Sequence, residues 1–241
     1  MDSEGLTVAV WAKRWLEVYK VGREHNTMRI YNNAIDVHII PSIGHYRLRD
    51  LKAHHVQDMI NKKAAKGLTR TLEIVKSTLN QMLEQAVLNE YIHKNVVKGV
   101  VLSKREKPHK RSLTDNEKQI IANADFDLKS KAFIYTLLYT GVRRGEILAL
   151  SKDDVDLERK TISINKGLIF LSNQAEIKNS PKTEAGNRII PIPDVLYDVL
   201  NSYFPTLESL HCFPANDGKL MSKTSFRRFW AKYISKLRYR F

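Results

Sequence analysis

One cysteine, Cys212, is all that 241 residues provide, which excludes an intramolecular disulfide and any Cys-rich zinc site. None of the eight histidines stands in a His-Glu-x-x-His arrangement, so zinc-protease spacing is missing as well. No window approaches the roughly 18 consecutive apolar residues of a membrane span, and Met1-Asp2-Ser3-Glu4-Gly5 lacks the basic-then-apolar layout of a signal peptide. The expectation is a chain with no membrane partner, in a reducing cytoplasmic compartment. Acidic residues are also scarce, 26 against 40 Lys and Arg. Disorder is excluded for most of the chain, because 43% of the residues are hydrophobic and only 27% charged.

What is present is positive charge, +14 at neutral pH. Residues 1–110 carry +8 of it and residues 111–241 carry +6, so the excess is no appended tail and both halves are suited to a polyanion. Nucleic acid is the leading partner, although highly soluble and ribosome-associated proteins are basic too.

Periodicity divides the chain. Val8, Trp11, Trp15 and Val18, and then Leu72, Val75, Leu79, Met82 and Ala86, recur at helical spacing and predict core-facing stripes. Two helices are expected between them. One runs from about Thr27 to Ile40 and is stopped by Pro41 and Gly44, and one runs from about Ala53 to Lys66 and closes at Gly67. Residues 1–95 thus form a helical domain and 96–111 a charged linker, containing Lys104-Arg105-Glu106-Lys107-Pro108. A second domain over 112–241 opens on the capping signal Thr114/Glu117. It continues with a helix over about Leu128–Tyr139 and a short one ending at Leu150. Thr161–Ile164, Leu168–Leu171 and Arg188–Ile192 predict one small antiparallel sheet, with a hairpin tip over Pro181–Asn187. Helices return at about Val195–Tyr203 and Lys223–Leu237. The fold class is mainly α with a small antiparallel β-sheet.

Two segments stand out chemically. In Thr140-Gly141-Val142-Arg143-Arg144-Gly145-Glu146 a glycine permits a sharp turn, and a helix starting after it would aim amides and an arginine at one point, which suits a phosphate. Arginine fits because its planar fork donates two parallel hydrogen bonds and stays charged. A short amphipathic helix with core residues Ile147, Leu148 and Leu150 and surface arginines reads equally well, whereas a helix-turn-helix does not, since Asp153-Asp154-Val155-Asp156 leaves no room for a second helix. In Pro181-Lys182-Thr183-Glu184-Ala185-Gly186-Asn187-Arg188 a lysine at a hairpin tip could protonate a departing sugar oxygen and offset developing charge. Taken alone, Lys182 reads as an exposed turn residue.

In this order the segments resemble the tyrosine recombinases, or phage-type integrases. Thr140 to Glu146 matches the family's T-G-x-R-x-x-E box, and Pro181-Lys182-Thr183 with Gly186, Arg188 and Pro191-Ile192-Pro193 resembles its catalytic-lysine hairpin. Tyr31, His38-Ile39-Ile40-Pro41-Ser42-Ile43-Gly44 and Asn89 to Asn95 are similar to the helical, SAM-like core-binding domain, with Val96 where Asn-Pro is usual. The resemblance implies cofactor-independent cutting and rejoining of double-stranded DNA. Arg143 would clamp the scissile phosphate, Glu146 would orient it and Lys182 would be the general acid. Arg23, Thr27, Arg29, Arg70, Lys76, Arg144, Thr183 and Arg188 would contact DNA, the two domains would clamp the duplex, and copies would associate on it.

The departure is equally plain. No histidine has an arginine three residues on, so the family's His-x-x-Arg box is missing, and the resemblance implies that the chain stops before that box and the nucleophilic tyrosine. Tyr233 and Tyr239 are not expected to replace it, because a phenol near pKa 10 needs a clamp to ionise. Phe226, Trp230, Tyr233 and Leu237 along one side of a basic helix could mark a membrane surface, but core packing is the better reading, and exposed apolar surface is expected around Phe226, Phe229 and Trp230. The function expected is a DNA recombination or integration protein, catalytically incomplete as it stands; alternatives are a non-catalytic module occupying recombination sites, or a general nucleic-acid binder.

Overall fold

A computed structural model of the chain describes residues 5–103, 111–178 and 186–237. The chain divides into two compact units, Met1–Lys110 and Arg111–Phe241.

The N-terminal unit is helical. Helix α1 (Val8–Tyr19) is capped by the Thr7 hydroxyl, which accepts from the Val10 amide. Its buried stripe is Val8, Trp11, Ala12, Trp15 and Leu16. Val18, expected on that stripe, is 55% exposed; at 100° per residue it falls on the stripe's edge in the last turn, where Leu16 already fills the core side. Trp11 donates its indole N–H to the Met82 carbonyl at 2.9 Å, tying α1 to α5 (Thr69–Leu88). Those two buried indoles, with Leu72, Val75, Leu79 and Met82, centre the core.

Helix α2 (His25–Asn32) runs on through a π-helical stretch, Asn33–Ile39, into α3 (Ile40–Ile43). Pro41 therefore does not stop the helix as expected. It lies in the first turn of α3, beyond a wide turn in which the Ile40 amide reaches back to Ile35, and there a missing N–H is tolerated. Gly44 is the C-cap of this helix, its amide bonded to the Ile40 carbonyl, and a side chain is disfavoured there because a Cβ would lie 2.5 Å from that oxygen. Helix α4 (Ala53–Ala64) leads through Gly67, at φ +75°, into α5. The stretch expected as linker from residue 96 opens with a 3-10 turn, Val96–Gly99, whose Val97 and whose follower Val100 are buried in this unit's core. Asn95 caps it and bonds Asn80 and Glu84 on α5.

The second unit opens with α6 (Asp115–Ala122), where Thr114 and Glu117 form the reciprocal capping box the sequence signals. Helix α7 (Leu128–Thr140) ends at Gly141, whose φ of +63° is the left-handed cap glycine adopts most cheaply. Then come α8 (Arg144–Ala149), β1 (Val155–Asp156), β2 (Thr161–Ile164), β3 (Gly167–Leu171), β4 (Gln174–Lys178), β5 (Arg188–Pro191), α9 (Asp194–Tyr203) and α10 (Lys223–Leu237). Among the described residues there are two small antiparallel sheets where one was expected: β1-β2-β5, and a β3–β4 hairpin. β3 does not join β2 and β5 because β4, polar and unmarked in sequence, takes it as partner across a turn in which Ser172 has φ +56°. β2 and β5 pair directly, with Ile162 opposite Ile190 and Ile164 opposite Arg188.

Phe133 is fully buried at the centre, with the rings of Phe213 and Phe229 each 5.1 Å away. From α10, Phe226, Tyr233 and Leu237 are buried and Trp230 is 37% exposed. Core packing, not a membrane surface, accounts for that helix, and Phe226 is not the exposed residue it was expected to be, because α10 lays it against α7. Among the described residues no helix is long and apolar enough to cross a membrane.

Candidate functional site

The turn between α7 and α8 is built from the backbone outward. Thr140 returns its hydroxyl to the Thr136 carbonyl at 2.5 Å, finishing α7. Gly141 then reverses the chain, Val142 is buried as the anchor, and Arg143 starts α8 as its N-cap. Gly145 lets α8 approach the hairpin closely, since a Cβ there would stand 2.8 Å from the Leu168 carbonyl oxygen on β3.

Glu146 is the hub. One of its carboxylate oxygens accepts the Arg143 backbone N–H at 2.8 Å and an Arg188 guanidinium N–H at 2.7 Å; the other accepts an Arg143 guanidinium N–H at 2.8 Å. A second Arg188 N–H lies 3.3 Å from that other oxygen. The Glu146 side chain is 12% exposed, Arg188 31% and Arg143 77%. Burial on its own would push the carboxyl up, but the bonds from Arg188 and then from Arg143 prevail and hold it at about 2. The same pairing raises Arg188, ahead of the opposing effect of its burial.

The chemistry available follows from this. The Arg143 amide is already taken by Glu146, and the group of the cluster that reaches solvent is the Arg143 guanidinium. Two guanidiniums against one carboxylate leave the cluster with one net positive charge, carried on the side chain that reaches solvent. Such a fork can take an oxyanion. Adjacent in sequence, Arg144 does something else: its guanidinium lies 5.7 Å from the Phe170 ring centre and 5.6 Å from that of Phe226, joining α8 to β3 and α10 through cation–π contact.

Of the residues singled out from sequence, Arg143, Glu146 and Arg188 come together, and Arg144 adjoins them. Lys182 and Thr183 lie outside the described residues, as does most of the expected hairpin tip. Tyr239 lies outside them too. In the N-terminal unit Arg23 precedes α2, Thr27 and Arg29 stand on its first turns, and Arg70 stands on the first turn of α5, all but Thr27 exposed. Lys76 is partly engaged, donating to the Val100 carbonyl at 2.6 Å. Sequence reasoning missed the grip of Arg188 on Glu146, because 42 residues separate them and only the tertiary fold brings β5 and α8 together. Tyr233 is buried against Phe126 and Trp230, and that burial pushes its phenol up to about 12.

Comparison with known proteins places the chain among integrases. Residues 7–64 match the model of the phage integrase N-terminal SAM-like domain, and residues 110–239 match that of the phage integrase family. An integrase of Streptomyces ambofaciens is 33% identical over 156 residues, 64% of this chain and 40% of that protein. A XerC-like tyrosine recombinase of Caldanaerobacter subterraneus is 24% identical over 220 residues, 84% of this chain and 56% of that protein. The chain thus spans about half the length of the curated relatives it matches. The Tn1549 transposon integrase, solved in complex with transposon right end DNA, superposes with a TM-score of 0.82 at 21% identity, covering 98% of this chain and 81% of that one.

Proposed function

Because the chain belongs to the phage integrase family of tyrosine recombinases, we propose that it binds double-stranded DNA at recombination sites, with Arg143 as the phosphate clamp. The observation that carries the reading is the Arg143–Glu146–Arg188 cluster, in which a shared carboxylate fixes an outward guanidinium without cancelling its charge. A lone Glu146 would neutralise Arg143; Arg188 restores the excess. The guanidinium fork would donate to nonbridging oxygens of one phosphodiester, and its fixed stem lowers the ordering cost of doing so.

Lys182, in the segment between β4 and β5, is the proposed proton donor to the departing 5′ oxygen, on the strength of the family resemblance. Arg23, Thr27, Arg29, Arg70, Lys76, Arg144, Thr183 and Arg188 were expected to touch DNA. We keep Arg23, Thr27, Arg29 and Arg70 as DNA contacts, with Lys76 and Thr183 beside them, and assign Arg188 to positioning and Arg144 to packing. Copies of the chain associate on the duplex, in the cytoplasm. We further propose that this stretch of chain does not itself form a phosphotyrosyl bond, a reading supported by the lack of a His-x-x-Arg sequence in it and by the burial of Tyr233.

Fluorescence anisotropy on an inverted-repeat duplex tests the reading. Losing a charge-assisted bond of about 1.5–3 kcal/mol, Arg143→Ala should weaken binding roughly 10- to 100-fold, with a shallower salt dependence. Unchanged affinity and salt slope in that variant would remove Arg143 from the interface. A suicide substrate should yield no covalent adduct.

A further inference from the structure

The N-terminal unit holds a cavity of about 590 Å³ between the α2–α3 helix and α4. Its charged and titratable lining is His38 from the π-helical stretch, Tyr46 between α3 and α4, His55, Asp58, Lys62 and Lys63 from α4, and Lys66 just after it. With neutral histidines this is three positive charges against one negative. We propose that the cavity is a binding site for a phosphate group, held by Lys63 and its neighbouring lysines with the His38 imidazole as the inner wall.

Two independent features carry this. His38 is 8% exposed, lines the cavity, and has a buried Nδ1 with no hydrogen-bond partner among the described residues, so the protein leaves part of its hydrogen-bonding capacity unused. Lysines at the end of α4 would suit the helix dipole alone if they were fully solvated and apart. Lys63 is instead only partly exposed. Its pKa is lowered first by burial and then by Lys66, and it in turn helps burial lower His38. No ion pair among the described residues joins Asp58 to any of the three lysines, so the cations outnumber the one carboxylate beside them and none is directly paired with it. An anion entering the cavity relieves the repulsion among them, and a π-helical turn in its wall is a feature often found where ligands bind.

The phosphate could be that of a free small molecule or a DNA backbone phosphodiester. The first step uses pyrophosphate alone and so stands apart from the DNA reading. Titrated by calorimetry, with His38 ring resonances followed by NMR, pyrophosphate should bind one saturable site and shift those resonances. Lys63→Gln should weaken it at least tenfold with thermal unfolding unchanged, and Lys160→Gln in the other unit should leave it as it was. Equal losses in the two variants, or His38 resonances that do not move, would mean diffuse attraction to a basic surface and overturn the proposal. Should Lys63→Gln fail to fold, Lys66→Gln takes its place under the same criteria. Duplex DNA that displaces pyrophosphate identifies the backbone as the source; simultaneous binding identifies a free ligand.

Discussion

Replacing Glu146 by Gln keeps the side-chain shape but removes the charge that both arginines bind. A carboxyl ordinarily near 4.5 and held at about 2 contributes about 3 kcal/mol at neutral pH. Solvent around the exposed Arg143 brings the effective figure closer to 2 kcal/mol. Because the folded pKa is depressed, that stability is fully present above 4.5 and disappears as pH falls toward 2. Between neutral pH and about 3.5 the wild-type advantage over Glu146→Gln should therefore shrink by about 1 kcal/mol, while every other carboxylate titrates alike in the two proteins. Urea unfolding at the two pH values, read by hydrogen exchange of residues 144–150, isolates the unit concerned. A stability gap that stays constant across that range would refute the assignment of Glu146 as an ionised hub.

Three further outcomes test other parts of the account. Gly145→Ala should cost about 1–3 kcal/mol, because the new methyl meets the Leu168 backbone, whereas Gly167→Ala, with nothing nearby, should come within about 0.5 kcal/mol of wild type in the same thermal melt. Arg188→Ala should weaken duplex binding through Arg143; if so, its loss and that of Arg143→Ala will fail to add in a double-mutant cycle, and additive losses would make Arg188 a separate contact. Tyr233→Phe should leave DNA binding unchanged and thermal stability nearly so, since a phenol raised to about 12 by burial has no ionised form to contribute near neutrality; a loss of DNA binding would mean its hydroxyl reaches the interface.

Much of this architecture is legible in the residues themselves. Thr114 and Glu117, Gly141 with its left-handed turn, the α5 stripe and the apolar face of α10 follow from local rules, because capping, glycine conformation and helical periodicity each act within a few residues. The arginine turn is legible for the same reason. Pro41 misleads because a π-helical turn upstream changes which carbonyl each amide seeks, and nothing in the residues nearby announces it. Strand β4 escapes because Gln174 and Glu176 face solvent and its pairing is settled only by the neighbouring strand. Arg188 shows the wider limit. Its identity marks it as a phosphate contact, and no local pattern announces that its guanidinium also binds a carboxylate 42 residues back.

Arg144 stands between two rings, one on β3 and one on α10, in the residue next to the outward arginine. Helix α10 and the hairpin are thus coupled to the arginine turn through a single peptide unit. A partner that pulls on α10, or a charge reversal at position 144, would alter the aim of Arg143 without touching it, giving distant surfaces mechanical leverage over the clamp.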